Sequence, residues 1–164
     1  MNDKLYIKML NIINSNRVAF TILGVMYKWL PLLVFLCYPV MLTLKGLQGF
    51  DKSFWLLLCV PAGVLVLVTV LRKLFKRQRP YEIFSTPPLF EREGKGDSFP
   101  SRHTASAFII AMGGFLLSIW LGTVLLITAA MIGAARVLAG VHYISDVLAG
   151  AVLAVAAGSL FFII

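Results

Sequence analysis

Residues 104–135 make up a run of 32 positions without one charged side chain. As a single helix rising 1.5 Å per residue, the run would be about 48 Å long, well beyond the roughly 30 Å hydrocarbon core of a bilayer. It must therefore fold back on itself, and the reversal is predicted at residues 119–122, giving two helices in a tight hairpin. Such a hairpin returns His103 and Arg136, which flank the run, to one membrane face. Three further uncharged stretches, residues 29–44, 53–71 and 147–164, are each about one bilayer thick. Residues 18–27 are apolar but too short to cross, and read as a half-buried lead-in to the first span. Counting crossings gives an all-α polytopic membrane helix bundle of about five transmembrane helices, with residues 1–164 as a single integral-membrane domain.

Composition points the same way. Charged residues are 13% of the chain and hydrophobic ones 60%, whereas a soluble domain carries roughly 25% charge. That excludes a water-soluble globular protein, a disordered chain and a disulfide scaffold. Cys37 and Cys59 lie inside apolar stretches and read as packing residues. In the N-terminal segment, residues 1–27, Leu5, Met9 and Ile13 recur at helical spacing with Tyr6 and Leu10 beside them, which predicts an amphipathic helix lying in the membrane interface. Gly150, Ala154 and Gly158, and likewise Ala129 and Gly133, recur every four residues as stripes that let helices approach closely. Pro31 and Pro39 read as kinks in the first span.

Lys and Arg total 15 against 7 Asp and Glu, a net charge of +8. In a membrane protein this excess faces anionic headgroups or an anionic substrate, and no nucleic-acid partner is expected. The chemistry-capable side chains gather in three segments, residues 72–80, 99–103 and 136–146, which hold both histidines and Asp146. His142 and Asp146, four apart, share a helix face, where the carboxylate can fix the imidazole tautomer and stabilise its cation. The plain alternative is an ordinary hydrogen-bonded pair. Ser101, Arg102 and His103 open a helix, whose first N–H groups and positive end suit a phosphate. Arg136 adds planar donors for a tetrahedral oxyanion. The basic cluster at 72–79 is less specific, since Lys76 and Arg77 read first as interface anchors. Pro80 stops the helix after Arg79.

Taken together, Arg72 with Arg79-Pro80, Pro100-Ser101-Arg102-His103, and Arg136 to Asp146 resemble the type 2 phosphatidic acid phosphatase superfamily of membrane lipid phosphatases, whose pattern is K-x6-RP, PSGH and SR-x5-H-x3-D. The likeness covers roughly residues 53–160. Arg72, followed by Lys73, stands at the lysine position; Arg102 replaces the glycine; Ala135 replaces the serine before Arg136. The resemblance implies that His142 attacks phosphorus, Asp146 orients it, and His103 protonates the leaving oxygen and then activates water. It implies that Arg72 or Lys73, Arg79, Ser101, Arg102 and Arg136 hold the phosphoryl oxygens, without metal or other cofactor. The sequence offers no Asp, Glu, His and Cys cluster at divalent-metal spacing.

The expected activity is removal of phosphate from a lipid phosphate or diphosphate, with undecaprenyl diphosphate favoured over phosphatidylglycerol phosphate and phosphatidate. The alternative is a non-catalytic lipid-phosphate binding or transport protein; against it, the polar residues gather at one interface rather than at the bilayer midplane. A structural subunit would leave the two histidines and Asp146 without a role. The polar loop at residues 81–98 reads as a lid or a solvated connection, and Tyr81-Glu82 as a buttress for Arg79. Setting aside Arg72, Arg79, Arg102 and Arg136, the site face carries nine Lys or Arg and the opposite face two, Lys45 and Lys52. The positive-inside rule puts that face in the cytoplasm. The resemblance puts it outside a bacterial cytoplasmic membrane, with an anionic substrate accounting for the charge, and the outward placement is the one adopted.

Overall fold

The computed structural model describes residues 3–84, 86–90 and 96–163. Glu91, Arg92, Glu93, Gly94 and Lys95 of the polar loop therefore lie outside the described residues, as does Ile164 at the end of the last stretch. The elements are α1 (Asp3–Ser15), α2 (Arg17–Gln48), α3 (Lys52–Phe75), a single turn α4 (Pro80–Ile83), α5 (Arg102–Gly114), α6 (Ile119–Leu138), α7 (Ile144–Gly158) and a terminal 3-10 turn (Ser159–Phe162). No strand occurs among the described residues.

Local chemistry sets the breaks. The Asn16 carboxamide oxygen accepts from the backbone N–H of Val18 and Ala19, both at 3.0 Å, and so starts α2 anew after α1. Gly49, at φ +131, and Asp51, whose side chain accepts from Phe54 N at 2.9 Å, make the α2–α3 turn. Lys76 closes α3 in the left-handed region at φ 44, and Pro80 then opens α4.

The predicted hairpin is present, with its bend at residues 115–118 rather than 119–122. Ser118 caps α6 by accepting from Trp120 N at 3.2 Å. Gly122 is not in the turn; it lies in α6 where the Phe115 ring packs, and a Cβ there would stand 2.4 Å from that ring. The first span also differs: residues 18–27 are not a separate lead-in but part of the 32-residue α2, which runs through Pro31 and Pro39.

Four helical segments, Arg17–Gln48, Lys52–Ile83, Ile119–Leu138 and Ile144–Phe162, are long and apolar enough to cross a bilayer. The fifth member of the bundle, α5, has 13 residues, about 20 Å of helix. It can be short because it is central: Thr104, Ala105, Ala107, Ile109, Ile110, Ala111, Gly113 and Gly114 are all buried. Around it lie two apolar cores, one built from Val34, Met41, Leu57, Ala107, Ile110, Leu125 and Ile132, the other from Val64, Val68, Ala105, Ile109, Ala154 and Phe161. Ala129, Gly133, Gly150, Ala154 and Gly158 are buried as their spacing predicts.

The outer surface is apolar, with Leu36, Val66 and Val152 each more than 60% exposed. Water would not tolerate such a belt, and lipid requires it; the protein is a multi-pass membrane protein. Cys59 belongs to this exposed surface rather than the packed interior, while Cys37 is half-buried. Helix α1 buries Tyr6 and Leu10 and leaves Leu5 57% exposed. Its apolar stripe is thus turned a few tens of degrees from the predicted one, toward the protein, because Tyr6 and Leu10 pack on Gly140 in the turn before α7.

Candidate active site

The chain leaves α3 at Lys76, re-enters the bundle at α5 and turns from α6 to α7 at Gly140, all on one face, so the three polar segments meet there. The centre is Asp146, in the first turn of α7 and fully buried. One carboxylate oxygen, Oδ1, accepts from Arg77 Nη1 at 2.7 Å. The other, Oδ2, accepts from the Tyr143 amide at 3.0 Å and from the Ser98 hydroxyl, and lies 3.4 Å from His142 Nδ1. Ser98 Oγ is also 3.3 Å from Nδ1. The serine thus sits between the imidazole and the carboxylate, touching both. With Nδ1 directed at this acceptor pair, the neutral imidazole carries its proton on Nδ1 and its lone pair on Nε2. His142, like Asp146, is fully buried.

Arg77 spans the edge of this group. It donates to Ser145 Oγ at 2.8 Å and its guanidinium lies 4.2 Å over the Tyr143 ring. Burial pushes the Tyr143 phenol up, with Arg77 opposing the shift.

The other arginines tie the segments together. Arg72, 6% exposed, donates to the Pro100 carbonyl at 3.1 Å. Arg79, 3% exposed, donates from Nε to Gly96 O at 3.0 Å and from Nη1 to Val141 O at 3.4 Å. Glu82 buttresses the backbone rather than the guanidinium: Oε2 accepts from Arg79 N at 2.9 Å and Oε1 from Gly96 N. Arg136 is buried, stacked 4.1 Å over the Tyr27 ring and donating to Tyr27 O at 3.2 Å. Of the two candidates at the first position, Arg72 turns inward, while Lys73 is exposed and lines a polar cleft of about 760 Å³ with Lys76, Gln78, Glu82, Gly96 and Asp97.

At the start of α5, the Ser101 amide donates to Asp146 O at 2.9 Å, and the Ser101 hydroxyl accepts from Thr104 Oγ1 at 3.0 Å. That amide is committed to joining α5 to α7, so an incoming anion would meet the N–H groups that follow it. Arg102 is exposed and His103 half-buried. Both line a cavity of about 260 Å³ with Phe35, Leu65 and Ser106. Phe35, Leu65 and Ser106 also line an adjoining apolar cavity of about 320 Å³ that continues past Tyr38, Leu58, Pro61, Ala62, Ile109 and Ile110. His103 therefore stands at the polar mouth of a greasy groove between α2, α3 and α5. Among the described residues no group of three His, Cys, Asp or Glu side chains converges where a metal ion could sit.

Residue patterns do not single out Ser98, Tyr27 or Tyr143, and they read Arg77 as an interface anchor. Ser98 left a weak signal, one polar residue just ahead of Phe99-Pro100-Ser101; Tyr27 left none, being brought in from α2.

Comparison with known proteins identifies the family. The profile of the PAP2 superfamily matches residues 52–164. Among solved structures, the chain is similar to the crystal structure of Aquifex aeolicus LpxE, with a TM-score of 0.74 and 25% identity over 98% of this chain and 94% of that one. It is also similar in fold to a transmembrane PAP2-type phosphatidylglycerolphosphate phosphatase from Bacillus subtilis, with a TM-score of 0.61 and 21% identity over 96% and 90% of the two chains. A search of curated proteins finds no match. With the profile spanning well over half of the chain and the segments that carry it assembled around one buried His–Asp pair, this protein belongs to the PAP2 superfamily of membrane lipid phosphatases.

Proposed function

We propose that this enzyme hydrolyses a lipid phosphate or diphosphate through a phosphohistidine on His142, at the extracytoplasmic face of a bacterial cytoplasmic membrane. The observation that carries the reading is the orientation of His142, whose Nδ1 is directed at Asp146 and Ser98 so that Nε2 presents the lone pair. Nε2 attacks the terminal phosphorus and the bond from that phosphorus to the leaving oxygen breaks, the ester oxygen of a lipid monophosphate or the bridging oxygen of a lipid diphosphate, with His103 supplying the proton to that oxygen. His103 then takes a proton from water, the water oxygen attacks phosphorus, the P–N bond breaks, and inorganic phosphate leaves. Asp146 stabilises the imidazolium formed in the first step. Arg72, Arg79 and Arg136, with Ser101 and Arg102 at the helix start, offset the charge on the equatorial oxygens.

The groove that opens at His103 is apolar and lies between α2, α3 and α5, which suits a hydrocarbon tail; Tyr38, one of its lining residues, donates to Leu57 O at 3.0 Å and so bridges α2 and α3. The substrate proposed first is a polyprenyl diphosphate, undecaprenyl diphosphate. Phosphatidylglycerol phosphate, the substrate in the name of the Bacillus subtilis protein, and phosphatidate follow.

The test is phosphate release by the detergent-purified protein with EDTA present, wild type against His142→Ala, on these three lipids. Release from undecaprenyl diphosphate that disappears in the variant supports the reading. Equal release by the variant would remove His142 as nucleophile, and no release by folded wild type would point to a binding or transport role.

A further inference from the structure

Arg136 is held by a residue that lies outside the segment matched by the family profile. Its guanidinium carbon stands 4.1 Å over the Tyr27 ring, and its Nη2 donates to the Tyr27 carbonyl at 3.2 Å. A planar cation gains from lying on an aromatic face, and an in-plane N–H aimed at a carbonyl stops the plane from turning about that contact. Tyr27 thereby acts on both the plane and the direction of the fork.

Tyr27 is braced in turn. The Phe90 ring packs on it with centroids 5.0 Å apart, and Phe20 packs on Phe90 at 5.1 Å. Phe20, Gly24 and Tyr27 share one face of α2. Gly24 gives Phe90 its place, since the ring lies 3.5 Å from where a Cβ would stand. The chain carrying Phe90 is tied to the far side as well: Leu89 N donates at 3.1 Å to the carbonyl of Ala139, the residue that ends α6, the helix bearing Arg136. Residues 86–90 are thus a strap from α2 to α6, not a free flap.

We propose that Tyr27, backed by Phe90 and Phe20, is a positioning residue that presets Arg136 for a tetrahedral phosphoryl oxyanion. The proposal rests on the reading of Arg136 as a phosphate ligand. An arginine already ordered in the free enzyme loses little side-chain entropy when the anion arrives. Without the ring it would sample other rotamers and would have to be reordered by the substrate.

The experiment measures KM and kcat for undecaprenyl diphosphate and Ki for inorganic phosphate in Tyr27→Leu, Tyr27→Phe, Arg136→Ala and the double variant Tyr27→Leu/Arg136→Ala. The expected result is that Tyr27→Leu raises KM and Ki about tenfold with kcat within about twofold. Tyr27→Phe, which keeps ring and carbonyl, should restore the wild-type constants, and the double variant should be no worse than Arg136→Ala alone. Effects that multiply in the double variant would overturn the proposal, because they would show Tyr27 acting on something other than Arg136. If Arg136→Ala itself leaves KM and Ki unchanged, the phosphate-ligand reading fails and the proposal with it. If Arg136→Ala weakens binding but Tyr27→Leu does not, only the positioning role falls. Should Tyr27→Leu not fold, Phe90→Leu removes the brace instead, with the same expected pattern and the same refuting one.

Discussion

Replacing Gly150 by alanine should disturb the catalytic centre through the packing of α7 on α5. Gly150 lies one turn below Asp146 on α7, and a Cβ built there would stand 2.7 Å from the Ser101 carbonyl oxygen and 3.3 Å from the Ala105 amide. Ordinary contact begins at 3.4 Å, so α7 must retreat from α5 by about 0.7 Å, and the obstacle is backbone that has no rotamer to yield. The Ser101 N to Asp146 O bond of 2.9 Å lies within that contact and would stretch with it. Overpacking of this kind costs about 1–3 kcal/mol, which for a chain of this size is a fall of roughly 2–12 °C in Tm. Because a misplacement near 1 Å can cost about a hundredfold in rate, kcat should fall about 10- to 100-fold. Gly63→Ala is the control. Nothing lies within 4 Å of its Cβ position, and alanine there should gain about 0.5–1 kcal/mol from the helix backbone. Thermal unfolding in detergent and phosphate release on both variants decide the matter. A Gly150→Ala protein with wild-type Tm and kcat, or a Gly63→Ala protein equally damaged, would refute the packing argument.

Arg77→Leu removes the 2.7 Å donor to Asp146 Oδ1; charge-assisted bonds are worth about 1.5–3 kcal/mol, and with Arg77 38% exposed the low end applies, seen as a Tm lower by about 3–6 °C. Ser98→Ala should lower kcat more than it raises KM, since it takes away the group that contacts both His142 Nδ1 and Asp146 Oδ2; single-turnover phosphate release reads this directly. Tyr6→Phe should cost about 1 kcal/mol, because the Tyr6 hydroxyl is shared between the carbonyls of Gly140 and Thr86 at 3.2 and 3.3 Å. Burial pushes the Tyr6 phenol up to about 12 from 10, so its contribution is whole below pH 10 and lost as pH rises through about 12; a Tm profile over that range should flatten in the variant.

The sequence by itself determined the class of structure and the residues at its heart. Uncharged runs of bilayer length leave a chain with backbone groups to satisfy and lipid for solvent, and helices are the answer short runs like these can give. His142 and Asp146 were legible as a pair by their spacing, but not as a shared helix face: His142 lies in the turn ahead of α7, and the cap at Tyr143, whose amide donates to Asp146 Oδ2 at 3.0 Å, brings imidazole and carboxylate together. The hairpin was legible because 32 apolar residues overrun a membrane. The small-residue stripes marked the close α5–α7 and α6–α7 approaches for the same reason of period. Tertiary structure decided what period cannot express. Arg77 and Lys73 are both basic residues near the end of α3, and the left-handed turn at Lys76 sends the former to Asp146 while the latter faces the polar cleft. Tyr27 precedes Arg136 by 109 positions and meets it because α2 packs against α6. Ser98 reaches His142 and Asp146 across 44 and 48 positions. Contacts of that separation follow from how whole helices seat against one another, a property of the summed packing and not of any local pattern along the chain.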